Sequence, residues 1–259
     1  MSSYQKILYA VDAHGIARIT LNRPEKRNAL DGELIREVKD AVRACGDDAA
    51  VRVILLSGAG TDFCSGADLS GLQETLNAGP LRNMADARNM ADLFLAMRKH
   101  RCPIIAAVRG RALAGGCGLA TAADIILAAE SAQFGYPEVN IGFIPAMVMA
   151  ILRRSVSEKR AFELITTGEI VSAPAALEYG MINRVFADAT FDIDVDAFAS
   201  KLAAKSASAM SLSKNLLYHM DALGFEAAIE AGVQANAIAR MTEDCRRGIE
   251  RFLKKSGAG

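Results

Sequence analysis

The sequence has no excess of charge of either sign: across 259 residues, Lys plus Arg and Asp plus Glu are both 30, so the formal net charge is zero. Without a basic surplus there is no general support for nucleic-acid binding, which is driven first by electrostatics. Long apolar runs are missing too. No stretch offers the roughly 18 uncharged apolar residues that a membrane-crossing helix needs. The N-terminal MSSYQKILYAVD has neither a basic start nor a long apolar run, nor the Arg-rich character of a transit helix. Cysteines are present but without metal-ligand spacing. Cys45, Cys64, Cys102, Cys117 and Cys245 are odd in number and widely separated, which suggests free thiols in a reducing, cytoplasmic compartment. HExxH, CxxC and GxSxG are absent, so zinc hydrolysis and a nucleophile-elbow serine are poorly supported. The three histidines, His14, His100 and His219, lie far apart and read as structural or exposed.

What is present is apolar mass. Half the chain is hydrophobic, 51%, enough for one large domain or a domain with an appended lobe. Residues 6–21 alternate as a hairpin, turning at Asp12 to Gly15. Asp31 is placed to cap a helix over 32–45, whose Leu34, Val38, Ala41 and Val42 share one face. Apolar runs at 51–57, 103–108 and 124–128 read as strands, separated by helices over 81–99 and 114–122. That alternation predicts α/β layering with strands buried on both faces. Beyond Pro145 the pattern becomes helical, with predicted helices at 146–154, 157–166, 173–179, 193–205, 208–220, 223–236 and 241–254, and one strand at 182–186. The expected organisation is a layered core over 1–190 and a helical region over 191–259, whose Met and Leu stripes need a partner surface.

The stretch from Pro103 to Pro145 carries the chemistry. The loop GADLSG follows a buried strand, where ligands commonly border a sheet; it also reads as a plain glycine turn. RALAGGCG precedes a helix, where Gly115 and Gly116 could expose amides or serve only tight packing. It lacks the GxGxxG spacing of dinucleotide sites, and GAGTDFCSG lacks the GK[ST] ending of a phosphate loop. Glu138 follows Pro137 among Phe134, Tyr136, Val139, Ile141, Phe143 and Ile144. A carboxylate in apolar surroundings has its charged form disfavoured and suits acid–base work near neutrality; a surface glutamate between two strands is the other reading. Together these features suggest backbone amides that hold an oxyanion while Glu138 moves protons.

In order along the chain, LNRPEKRNAL, VILLSGAGTDFCSGADL, AAVRGRALAGGCGLATAADI, FGYPEVNIGFIP and TTGEIVSAPAALEYGMINRV resemble the crotonase family, the enoyl-CoA hydratase/isomerase superfamily. The resemblance implies a superhelix of repeated ββα units with a C-terminal helical trimerisation region, assembled as a homotrimer or a dimer of trimers. It implies an acyl-CoA thioester substrate, with coenzyme A as part of that substrate and no tightly bound cofactor. The amides of Ala67 and Gly115 would form the oxyanion hole, and Glu138 would be the acid–base residue. Arg27, Ala29, Leu30, Ser65, Ala67, Asp68 and Leu69 would border coenzyme A, with Phe252, Lys254 and Lys255 helping to cover it. Typical hydratases of the family use a second glutamate, and Gly118 stands in its place here. The single-glutamate pattern is nearer the 3,2-enoyl-CoA isomerases. Hydration or dehydration through Glu138 is the alternative, and an inert acyl-CoA-binding or scaffolding protein is a further one. Ala146 stands where dienoyl-CoA isomerases carry an aspartate, which disfavours that branch.

Overall fold

The structure, a computed structural model, describes residues 4–68 and 78–256, with residues 255 and 256 as backbone only. Strand β1 (Ile7–Val11) pairs antiparallel with β2 (Ile16–Leu21). Asp12 ties the turn by accepting from the backbone N–H of His14 and Ile16 at 2.9 and 3.0 Å. Helix α1 (Gly32–Asp47) starts at Asp31, whose carboxylate accepts from the Leu34 amide, a cap worth about 1 kcal/mol. Leu34, Val38, Ala41 and Val42 form its buried stripe. The chain continues through β3 (Val53–Gly58), α2 (Pro80–Lys99), β4 (Ile104–Val108), β5 (Arg111–Leu113), α3 (Gly115–Thr121), β6 (Ile125–Ala129) and β7 (Gln133–Gly135). A 3-10 turn (Pro137–Ile141) leads into α4 (Ala146–Ser155), α5 (Glu158–Thr167), β8 (Ile170–Ser172), α6 (Ala173–Glu178) and β9 (Arg184–Phe186). Helices α7 (Phe191–Ala203), α8 (Ala207–His219), α9 (Phe225–Met241) and α10 (Glu243–Ser256) complete the described chain.

Two sheets share these strands. One has the order β1-β2-β3-β4-β6-β9, parallel from β2 onward; the other has the order β5-β7-β8. From β4 to β7 successive strands alternate between the sheets, so each ββ unit makes one turn of a coil. A parallel bridge from Cys64 to Ala112 joins the segment after β3 to the second sheet. The central strands of the first sheet, β3, β4 and β6, are buried on both faces, as their near-continuous apolar runs require. In β3, Ile54 and Leu56 enter the main core with α1 and α2, while Val53 and Leu55 meet Phe191, Val195 and Ala199 of α7. Helix α8 is locked to this core by Lys214. Its buried Nζ donates to the carbonyls of Met97 and Cys102, at 2.9 and 3.1 Å, and to Asp124 at 2.7 Å. Among the described residues, no helix is long and apolar enough to cross a membrane.

The sequence expectations differ from this arrangement in several places. Three short strands, Arg111–Leu113, Gln133–Gly135 and Ile170–Ser172, make up the second sheet; a strand leading into Pro137 was expected, while those at Arg111–Leu113 and Ile170–Ser172 were not. The segment around Glu138 is a 3-10 turn that follows a strand ending at Gly135. Of its six expected apolar neighbours, two are buried. Phe134 and Tyr136 are fully buried, whereas Val139, Ile141, Phe143 and Ile144 are exposed in the single chain. The apolar stripes of the last helices are open as expected, with Phe225 82% and Met241 77% exposed.

Candidate active site

The site is built where the loop after β3 meets the start of α3. Asn28, buried at φ +54°, organises the loop from below. Its Nδ2 donates to the carbonyls of Ala59 and Asp62 at 2.9 and 2.8 Å, and its Oδ1 accepts from the Arg23 amide at 2.9 Å. Asp62 ties the loop to β5 by accepting from the Arg111 amide at 3.0 Å and from its guanidinium at 2.7 and 2.9 Å. Those Arg111 hydrogen bonds hold the Asp62 carboxyl below the usual carboxylate range. Further on, Leu30 N–H donates to Gly66 O at 2.7 Å and Asp68 N–H donates to Leu30 O at 2.9 Å. In such a parallel bridge the intervening residue turns its own N–H to the other side, so the Ala67 amide faces away from Leu30.

Helix α3 stands on that side. Gly115 is its first residue, and the first N–H groups of a helix have no partner within it. The approach is close. A Cβ added to Gly66, which sits at φ +101°, would lie 2.9 Å from Ala114 Cβ and 3.5 Å from Gly115 N. One added to Gly115 would lie 4.0 Å from the Ala67 amide nitrogen and 3.6 Å from Leu30 and Met90 side-chain carbons. The turn into α3 is strained: Ala114 has φ +49° and ψ −128° and is pinned by its N–H donating to Gly135 O at 2.8 Å. A non-glycine residue in this region costs about 1–3 kcal/mol. The loop pair thus sets two amides beside an apolar wall, and Ala67 itself is exposed.

Glu138 enters from the 3-10 turn. It is 9% exposed, and its Oε2 is buried without a hydrogen-bond partner. Burial raises its pKa above the ordinary glutamate value. Burial, first of all, raises the pKa of Cys117 and Tyr136, and the Glu138 charge adds to both. Tyr136 anchors the segment to α3, with its hydroxyl 3.3 Å from Thr121 Oγ1. Cys64 and Cys117 lie under the same loops, but burial pushes both thiols up to about 12, so neither offers a thiolate. At Gly118 an added Cβ would meet Val148 Cγ2 at 2.5 Å and Phe94 Cζ at 3.3 Å.

The structure brings together the 27–30 and 64–68 segments. Ser65 N–H donates to Arg27 O at 3.0 Å, Ala29 and Leu30 are buried, Arg27 is exposed, and Asp68 accepts from Arg23 at 2.9 Å. Leu69 and the Lys255 side chain lie outside the described residues. Phe252 and Lys254 are exposed on α10, whose main packing partners are α8 and α9. Asn28, Asp62 and the Ala114 turn were not singled out from sequence; the one available hint was an asparagine, a residue that tolerates left-handed backbone, in the turn-rich NRPEKRNAL. Among the described residues, no cluster of His, Cys, Asp and Glu is arranged to hold a metal.

Comparison with known proteins decides the family. The family described as Enoyl-CoA hydratase/isomerase matches residues 12–258. The chain belongs to it. The crotonase-like fold of repeated ββα units with a C-terminal helical region is therefore this protein's fold, and it is an acyl-CoA-transforming enzyme of that family. Among relatives, it is 34% identical to the 2,3-dehydroadipyl-CoA hydratase of Escherichia coli, over 92% of this chain and 91% of that protein. It is 34% identical to the crotonyl-CoA hydratase of Syntrophomonas wolfei, over 94% and 93%. The crystal structure of a Mycobacterium smegmatis enoyl-CoA hydratase superposes with a TM-score of 0.91 at 32% identity, covering 97% of both chains.

Proposed function

We propose that this enzyme shifts an enoyl-CoA double bond from the 3- to the 2-position, with Glu138 as the single acid–base residue. The carboxylate takes a proton from C2 of the bound thioester. The electron pair delocalises into a dienolate whose oxygen accepts from the Ala67 and Gly115 amides. Glu138 then returns the proton to C4, and the C2–C3 double bond remains. Such preorganised donors contribute most where water is excluded, about 3 kcal/mol for each, and a positioned base contributes about 10²–10⁴-fold. The observation that carries this reading is the buried carboxyl oxygen of Glu138, raised in pKa and without a partner, with no room for a second carboxylate at residue 118. Arg27, Ala29, Leu30, Ser65, Asp68 and Leu69 border the coenzyme A in this proposal. Phe252, Lys254 and Lys255 cover it once a second copy seats the last helices. The exposed apolar residues on α9 and α10, including Phe225, Ile229, Val233 and Met241, support a homotrimer or a dimer of trimers.

A second reading, hydration of a 2-enoyl-CoA, is favoured by the names of the three similar proteins given above, all of them hydratases. The two are separated by incubating a 3-enoyl-CoA with the protein in H₂¹⁸O. Isomerisation yields the 2-enoyl thioester with no oxygen incorporated. Formation of labelled 3-hydroxyacyl-CoA from a 2-enoyl-CoA, with no conversion of the 3-enoyl isomer, sinks the first reading.

A further inference from the structure

Gly118 lies three residues after Gly115, so the two share a face of α3. In the mechanism proposed above, what stands over Gly118 borders the acyl group on the same side as the Gly115 amide. What stands there is Val148, on α4, which packs against α3. The gap of 2.5 Å between Val148 Cγ2 and a Cβ added at Gly118 is far inside contact distance, and Phe94 closes the next side at 3.3 Å. Both residues are buried, at 4% and 7% exposure. A flexible side chain would swing aside, but valine is branched at Cβ and stiff about χ1 on a helix. The pair is thus mutually exclusive: residue 118 is reduced to a hydrogen because residue 148 is branched.

We propose that Val148 is the residue that determines which reaction this site performs, by filling the space over Gly118 and keeping both a second carboxylate and a water out of the acyl pocket. A buried water needs about two to four polar partners. The wall formed by Val148 and Phe94 offers none from its side chains. A reaction that adds water across the double bond is disfavoured there, whereas one that moves a proton along the chain needs no space beyond the acyl group. This assignment rests on the one-carboxylate mechanism proposed above and names the residue that enforces it.

The test uses three variants of the full chain: Val148→Ala, Gly118→Glu, and Gly118→Glu combined with Val148→Gly. Each is assayed for hydration of crotonyl-CoA, for isomerisation of a 3-enoyl-CoA, and for thermal unfolding. Val148→Ala is expected to raise hydration, relative to isomerisation, about tenfold or more, the reach of one or two methyl groups in a pocket. Gly118→Glu alone is expected to unfold at a lower temperature than the parent and to lose both activities. The double variant is expected to recover thermal stability and to hydrate at least about tenfold faster than the parent, the scale of a positioned acid or base. A hydration rate unchanged from the parent in Val148→Ala and in the double variant overturns the assignment, as does a Gly118→Glu protein as stable as the parent. A parent enzyme with no isomerase activity sinks the double-bond-shift mechanism instead. The hydration rates of the variants then still decide the role of Val148.

Discussion

Replacing Gly66 by alanine perturbs the amide pair without touching a side chain that meets substrate. Gly66 sits at φ +101°, where an added Cβ would lie 2.9 Å from Ala114 Cβ and 3.0 Å from Leu113 O. Neither neighbour is free to move: Leu113 is paired in β5, and Ala114 is held in its strained turn by Gly135. Positive φ costs a residue with a Cβ about 1–3 kcal/mol. Each kcal/mol lowers the unfolding temperature of a domain of this size by about 2–4 °C. The overlap is relieved by separating the 64–68 loop from α3, and that separation moves the Ala67 amide away from the Gly115 amide. Loss of one such donor lowers kcat about 10²–10³-fold, because the donor acts on charge that develops only after binding. The expected result for Gly66→Ala is therefore a kcat about 10²-fold lower, with KM for the thioester little changed and a modest drop in unfolding temperature. Steady-state kinetics beside a thermal melt measure all three. A folded variant whose kcat stays within about threefold of the parent, where a lost donor predicts far more, refutes the placement of the two amides.

Two further perturbations follow from buried charge. Because the folded-state pKa of Glu138 is raised by burial, the folded protein binds its proton more tightly than the unfolded chain does. Its contribution to stability is present at low pH and is lost as pH rises through the raised value. Glu138→Gln is therefore expected to be more stable than the parent at neutral pH, by a margin that shrinks as pH falls toward ordinary glutamate values; denaturant melts across pH 4–8 check this, and a constant margin contradicts it. Lys214→Met leaves Asp124 without its buried cationic partner, since Lys214 Nζ meets Asp124 at 2.7 Å. The expected loss is about 3–5 kcal/mol, partly recovered by adding Asp124→Asn, as read from urea unfolding of the single and double variants.

How far the sequence carried the structure depends on element length. The β1–β2 hairpin, α1 with its Asp31 cap, and the buried strands β3, β4 and β6 were legible because each spans enough residues for a period or an apolar run to show. Of the second sheet, only the strand before Pro137 was. Its strands have three residues each, too few to alternate, and they exist because their partners sit one coil away. The repeated ββα coil entered through family resemblance, since periodicity alone gives layering without handedness or order. At the site, Glu138 was singled out correctly as buried, yet part of the reason was wrong. Val139, Ile141, Phe143 and Ile144 are exposed, and of the expected apolar neighbours Phe134 and Tyr136 alone are buried. Val148 could not be found from sequence, because nothing in AMVMAILRR says which of its apolar residues meets Gly118. That contact is set by how α4 crosses α3.

The central step is the removal by Glu138 of a proton next to a thioester carbonyl. Exchange of the C2 hydrogens of butyryl-CoA into D₂O, followed by mass spectrometry, isolates that step, since a saturated chain can neither isomerise nor add water. The parent should exchange a C2 hydrogen, while Glu138→Gln should exchange about 10²–10⁴-fold more slowly with an unaltered Kd for butyryl-CoA. Exchange at the parent rate in Glu138→Gln would contradict it.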